Sequence, residues 1–524
     1  MKKLTIGITT LCLSLAACQS LDITNQNEPD RRRALSNAED VEALIASSWR
    51  PYWARTQSQG WPYYALTSIA GVHTTSEASS GALTLSVIPR PVYDNNPTSD
   101  VAGLARFPWY ELYGGLDNAN EGLTAIDNGV KIMTPVGPGT STLTDNTARA
   151  RAFAKFSQGL MLGYIGMMYD QGFIAKEGID WSDPEQRREG TTLRPYPEVI
   201  AAAIESMQEA IAICEENTFT LPGAAPDAIW IAGLDLTNQD LAKLAHSFIA
   251  RFLVLSARSP EDRATKVDWD AVLDHTEKGI TADWIIPHDK ARLESPNFKR
   301  RIQYNAASGY RLSYFFIGTA DVSGNFQQWL AKPLAERERF LITTPDRRLT
   351  GSTPTSSGSY ARYLSGNLFR AERGLWRWSH YQFYRWKGAW EDAPALLMSV
   401  SEMNLLRAEA YLRKEMLPEA VPLINITRVA NGKLPPVTED GVPVSPTCVP
   451  RKYDGSCETL LGALMYERIW ETTGLESPRD WLDSRGFGRL IKGTFIHLPV
   501  PGRELENLGL PIYTFGGNRP GSAP

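Results

Sequence analysis

The stretch NTARARAFAKFSQGLMLGYIGMMYDQG, residues 146–172, carries apolar side chains at helical spacing with Ala and Gly between them. Small residues at such positions let a neighbouring helix approach closely, so this segment calls for helical partners. They are present in the chain. Helical spacing recurs in residues 36–53, 103–127, 196–217, 238–259 and 268–280, and again in 400–432 and 458–474. Residues 238–280 read as one helix pair, and residues 400–432 as another around the loop at Lys414 to Leu417. Such pairs are similar to degenerate tetratricopeptide units, which stack as helical hairpins. The expected fold is mainly α, with few short strands. Between about residues 285 and 395 the helical period fades, and Gly, Ser and aromatic residues dominate. Loops of that length are functional or disordered, and the aromatic content argues against disorder.

The formal net charge is −5, and the longest basic run is Arg31-Arg32-Arg33, preceded by Glu28 and Asp30. No basic face for nucleic acid is evident. The chain holds 15 Trp and 20 Tyr, more rings than its core calls for, so some are expected at a surface or groove that binds flat ligands.

Residues 1–17 read as a secretory signal: Lys2 and Lys3, an apolar run from Leu4 to Leu15, then Ala16 and Ala17. The run is too short for a membrane-crossing helix, which takes about 20 apolar residues. Leu15-Ala16-Ala17-Cys18 resembles a bacterial lipobox, which marks Cys18 for acylation. Acyl chains contribute about 0.8 kcal/mol per buried CH₂, enough for several to anchor a soluble body. Gln19 in place of Asp carries no signal for inner-membrane retention. Residues 18–35 then form a polar tether, and residues 36–524 a single domain. Cys214 sits in a helical pattern and reads as a small buried hydrophobe. Cys448 and Cys457 flank VPRKYDGS, and outside the cytosol that spacing suggests a disulfide, with zinc as the alternative.

The order of motifs along the chain resembles the SusD/RagB family of outer-membrane nutrient-binding lipoproteins. The resemblance rests on the lipobox and tether, FPWYELYGGLDNANEGL, ARARAFAKFSQGLMLGYIGMMYDQG and TTPDRRLTG. In the C-terminal third it rests on SEMNLLRAEAYLR with EAVPLINITRVANG, LMYERIWETTG, RDWLDSRGFGRL and FIHLPVPGRELENL. It implies a SusD-like scaffold of tetratricopeptide-like hairpins, mainly in residues 36–285 and 395–435. Residues 285–395 would form the loop-rich ligand region, and residues 436–524 the C-terminal family region. It also implies a lipid-anchored protein on the outer membrane, facing the cell exterior. Such a protein would hand a nutrient, typically an oligosaccharide, to a SusC-like TonB-dependent transporter. Neither catalysis nor a cofactor is implied, and a peptide ligand is the variant within the family.

Trp61, Tyr63 and Tyr64 follow the first helix, lie outside the helical period and are expected to meet ligand. The resemblance implies that the mid-chain loops contribute too, which adds Tyr304, Tyr310, Trp329, Trp376, Trp378 and Tyr381. Trp109 and Tyr113 lie on a helical face and read as core. Glu467, Arg468, Glu471, Arg479, Trp481 and Asp483 form a charged cluster. Two carboxylates are the equipment of a glycosidase, the competing enzyme reading. Here the interleaved arginines point instead to an ion-pair network holding the C-terminal region to the scaffold. The six His show no zinc spacing, and no GxSxG or Walker A motif occurs, so no metal or catalytic residue is expected.

Overall fold

The structure is a computed structural model that describes residues 35–56, 65–75, 81–135, 140–224, 230–231, 233–287, 310–366, 370–385, 394–476 and 478–523. The principal helices are α1 (Ala38–Ser47), α2 (Arg50–Thr56), α3 (Gly103–Asp127), α4 (Thr147–Met168), α5 (Tyr196–Glu216), α6 (Asn238–Leu255) and α7 (Trp269–Glu277). After the loop-rich segment come α8 (Val400–Arg413), α9 (Leu417–Ala430), α10 (Leu460–Thr472) and α11 (Arg479–Gly486). From α3 to α9 each helix packs on the next in sequence, as stacked helical pairs do. Local chemistry sets the ends. Asn37 caps α1, and Thr237 with Asp240 forms a capping box on α6.

The small residues of α4 do what their spacing suggests. A Cβ on Gly159 would lie 2.7 Å from Met207 Cγ of α5, and one on Gly163 would lie 2.2 Å from the Phe252 ring of α6. Hydrogen at those positions is what lets α4 sit between its neighbours.

Strands are short, and every sheet among the described residues has two. One of these pairs organises the chain. Trp284–Ile286 runs antiparallel to Ala395–Met398, with Leu396 opposite Ile285. The long excursion between α7 and α8 therefore leaves and returns at one place, while α7 and α8 pack directly on each other. The pair His73–Thr74 with Arg311–Leu312 ties the N-terminal segment to that excursion.

Charges fill the junction between the stack and the C-terminal region. Arg251 of α6 is fully buried and pairs with Glu402 of α8 at 2.7 Å and with Glu476 at 3.2 Å. Tyr52 and Tyr164 also donate to Glu476. Arg263 and Arg468 each bridge Glu409 and Asp483. Arg348, from the excursion, reaches Asp346, Glu467 and Glu471. Arg479 pairs with Glu402 at 3.1 Å. Burial alone would push the Glu402 carboxyl up, yet Arg251 and Arg479 hold it below the usual range. The cluster anticipated around Glu467 is thus an ion-pair network that joins elements distant in sequence.

Replacing Arg251 by Met leaves Glu476 without its buried cation and Glu402 with Arg479 alone. Breaking a buried pair from one side costs about 3–5 kcal/mol. Urea denaturation of Arg251→Met is expected to show a loss of that size, and a midpoint within error of wild type would contradict the role assigned here.

Candidate functional site

The rings expected to meet ligand fall into two groups. Trp61, Tyr63, Tyr64 and Tyr304 lie outside the described residues. Tyr310, Trp329, Trp376, Trp378 and Tyr381 are described, and all are buried. The Tyr381 hydroxyl donates to Pro354 O at 2.8 Å and accepts from Ile342 N at 3.0 Å. Trp329 packs beside Tyr314 and Phe315 under Arg337, and Trp378 lies beneath Arg311. These five rings form the interior of the loop layer, and as placed none offers a face to solvent. The physical reason is plain. A long excursion without helices must bury its own apolar surface, and its rings supply it.

The charged cluster is equally closed. Glu467 and Glu471 have no exposed surface, and Arg348 neutralises both, so no sugar bond can lie between them. Among the described residues, no group of three His, Cys, Asp or Glu side chains could hold a metal ion. Cys448 and Cys457 form a disulfide, and Cys214 is a buried free thiol.

Exposed aromatic surface appears elsewhere, at a cleft of about 360 Å³ beside α3. One wall is α3 itself, with Tyr110, Tyr113, Asp117, Asn120 and Glu121. The other is the segment after α4, with Phe173, Lys176 and Trp181. Trp109 is buried behind the cleft, as its helical position suggested, and its ring meets Tyr113, Tyr169 and Phe173 at centroid distances of 4.8, 4.9 and 5.5 Å. This cluster fixes the floor. The Tyr113 hydroxyl bonds the Phe173 main chain, and burial raises its pKa.

Trp181 is 40% exposed, as is Tyr110. The sequence DWSDPEQRREG explains how an indole is held in the open. Asp180 accepts from Ser182 N and Oγ, and Gln186 accepts from Asp180 N. Asp183 caps the short helix Pro184–Gly190, with Pro in its first turn. The helix ends at Gly190, where an added Cβ would stand 3.0 Å from Trp181 Cη2. The indole therefore lies against a glycine, pinned by a tight turn.

Polar groups surround the rings. Asn120 donates to Ala175 O at 3.0 Å and accepts from Gln158 at 2.7 Å. Burial and a hydrogen bond to Glu504 raise the pKa of Tyr110. Asp117 is exposed and makes no ion pair or side-chain hydrogen bond among the described residues. Fixed aromatic faces beside an unengaged carboxylate suit a ligand with apolar C–H faces and hydroxyl edges. A further depression, of about 880 Å³, is lined by Thr84, Asp94, Asn96, Thr98 and Asp100, and has no aromatic side chain in its walls.

Replacing Gly190 with Ala tests the contact that holds Trp181. In fluorotryptophan-labelled protein, the resonance absent from Trp181→Phe is expected to shift, with the melting temperature unchanged or raised because Ala favours the helix. An unmoved resonance would show that the indole does not rest there.

No protein-family model matches the sequence, and no curated protein matches it. Solved structures do. A SusD superfamily protein from Bacteroides vulgatus ATCC 8482 is 14% identical, with a TM-score of 0.54 over 90% of this chain and 97% of that one. One from Parabacteroides distasonis ATCC 8503 is 11% identical, with a TM-score of 0.55 and the same coverage of 90% and 97%. A SusD-like carbohydrate binding protein from Bacteroides vulgatus ATCC 8482 is 13% identical, with a TM-score of 0.50 over 86% of this chain and 84% of that one. At these identities the likeness is one of fold.

Proposed function

We propose that this chain, which has the fold of the SusD superfamily, is a surface lipoprotein that captures a nutrient oligosaccharide and passes it to a SusC-like TonB-dependent transporter in the outer membrane. The observation that carries the reading is the open aromatic cleft at Trp181, set on a SusD-like fold. Sugar rings stack their C–H faces on indole and phenol rings, and carboxylates such as Asp117 accept hydrogen bonds from hydroxyls. A solved structure of this fold bears the description of a carbohydrate binding protein, in keeping with that chemistry. Trp61, Tyr63, Tyr64 and Tyr304, outside the described residues, remain proposed ligand contacts from the sequence.

Attachment is through Cys18. No helix among the described residues is long and apolar enough to cross a membrane, and the lipobox reading supplies an anchor in its place. The transporter provides the energy for uptake, and this chain provides the affinity.

Calorimetry on the full-length protein in detergent, against neutral glucans, mannans and xylans, tests the binding. Trp181→Ala is expected to weaken the best of these ligands by tenfold or more without changing the melting temperature. Undiminished binding would remove the cleft from the proposal. Cys18→Ser is expected to leave the membrane fraction for the soluble one, and retention there would contradict the anchor.

A further inference from the structure

A second cleft, of about 550 Å³, opens on the C-terminal region and has the opposite character. Its walls come from three places. The loop closed by the Cys448–Cys457 disulfide brings Arg451, Lys452 and Tyr453. The turn after α11 brings Phe487, Arg489 and Lys492. The approach to α10 contributes Glu458, α10 itself contributes Tyr466, and the excursion contributes Phe315. Four cationic side chains thus line the cleft beside one carboxylate, Glu458. The chain as a whole is formally −5, so a basic concavity runs against its overall charge.

These cations form no close ion pair with an acid among the described residues. Arg451 donates to the carbonyls of Cys448 and Pro446 within its own loop, which holds its position without cancelling its charge. Its main chain is fixed to the excursion by Arg451 N donating to Thr319 O at 2.7 Å. Lys452, Arg489 and Lys492 form no ion pair and no side-chain hydrogen bond among the described residues. Arg489 is the telling one. Its main-chain N–H bonds Ser484 O, which fixes the turn, yet its guanidinium makes no hydrogen bond or ion pair among the described residues. Its side chain is half-buried at the cleft, whereas the fully buried Arg468, Arg479 and Arg485 nearby each meet a carboxylate or a carbonyl. Desolvation lowers the Arg489 pKa more than Tyr453, Glu458, Asp483 and Tyr466 restore it.

Shape narrows the ligand. Tyr453 is 53% exposed, and its ring edge meets Phe326 at a centroid distance of 5.8 Å, so the phenol stands at the rim. Phe315 adds a second face inside. A guanidinium matches a planar carboxylate with two parallel hydrogen bonds, and ammonium groups nearby add attraction without demanding geometry. A ring to stack and a carboxylate to clamp are the two halves of a uronic acid.

We propose that this cleft binds a sugar bearing a carboxylate, with Arg489 clamping the acid and Tyr453 stacking on the ring. The site is separate from the aromatic cleft at Trp181, and neither depends on the other. It extends the ligand class of the protein from neutral to acidic saccharides.

Calorimetry on the full-length protein in detergent, with trigalacturonate, its fully methyl-esterified form and inorganic sulfate, is the test. Trigalacturonate is expected to bind, the ester to bind at least tenfold more weakly, and sulfate not to compete at equal concentration. Arg489→Gln is expected to weaken trigalacturonate by tenfold or more while leaving any neutral oligosaccharide that needs Trp181 unaffected. Tyr453→Ala, at an exposed rim position that leaves the core intact, is expected to weaken it severalfold and guards against a folding failure of the arginine variant. Equal binding of ester and acid, displacement by sulfate alone, or full affinity in both variants would overturn the proposal. Loss of neutral binding in Trp181→Ala with trigalacturonate binding retained would show that the two sites stand apart.

Discussion

Arg251 is wholly enclosed, and it holds Glu402 of α8 and Glu476 of the C-terminal region at once. Around it, Arg263, Arg348, Arg468 and Arg479 repeat the arrangement with five further carboxylates: Asp346, Glu409, Glu467, Glu471 and Asp483, besides Glu402. Stripping water from each ion costs several kcal/mol, and the attraction between partners does little more than offset this. What the network supplies is therefore register. A buried arginine without its carboxylate is so unfavourable that stack, excursion and C-terminal region can meet in only one way.

That arrangement decides where binding can occur. The acidic residues nearest in pattern to a glycosidase pair are enclosed and neutralised, so the interior of the C-terminal region is closed to substrate. Tyr310, Trp329, Trp376, Trp378 and Tyr381 of the excursion are spent on its own packing. Among the described residues, clefts with aromatic walls open beside α3, where a turn exposes Trp181, and behind the disulfide loop, where the lining is basic. Both are fixed by the scaffold: one by the Trp109 ring cluster, the other by Arg451 bonded to the excursion.

Much of the architecture was legible in the residues. The Ala and Gly positions of α4 anticipated its crowded surroundings, which Gly159 and Gly163 bear out. The fading of helical period near residues 285 and 395 falls where Ile285 pairs with Leu396. The alternation of acids and arginines around Glu467 anticipated the network. The proposed binding surface was far less legible. Helical period tells inside from outside because it repeats, and the loops holding Trp376, Trp378 and Tyr381 have none, so their burial is set by contacts remote in sequence. Trp181 carried a signal that would have served: a large ring amid Asp, Ser and Pro, where a turn leaves it partly open beside Gly190. The fold itself outlasts its sequence signature, since structures at 11–14% identity superpose over most of the chain while no family model matches.

The aromatic cleft is the centre of the functional account, and a crystal structure of the protein soaked with the tightest-binding neutral oligosaccharide tests it most directly. A sugar ring stacked on Trp181, with a hydroxyl donating to Asp117, is the expected result. Sugar density confined to another surface, with the Trp181 face bare, would contradict it.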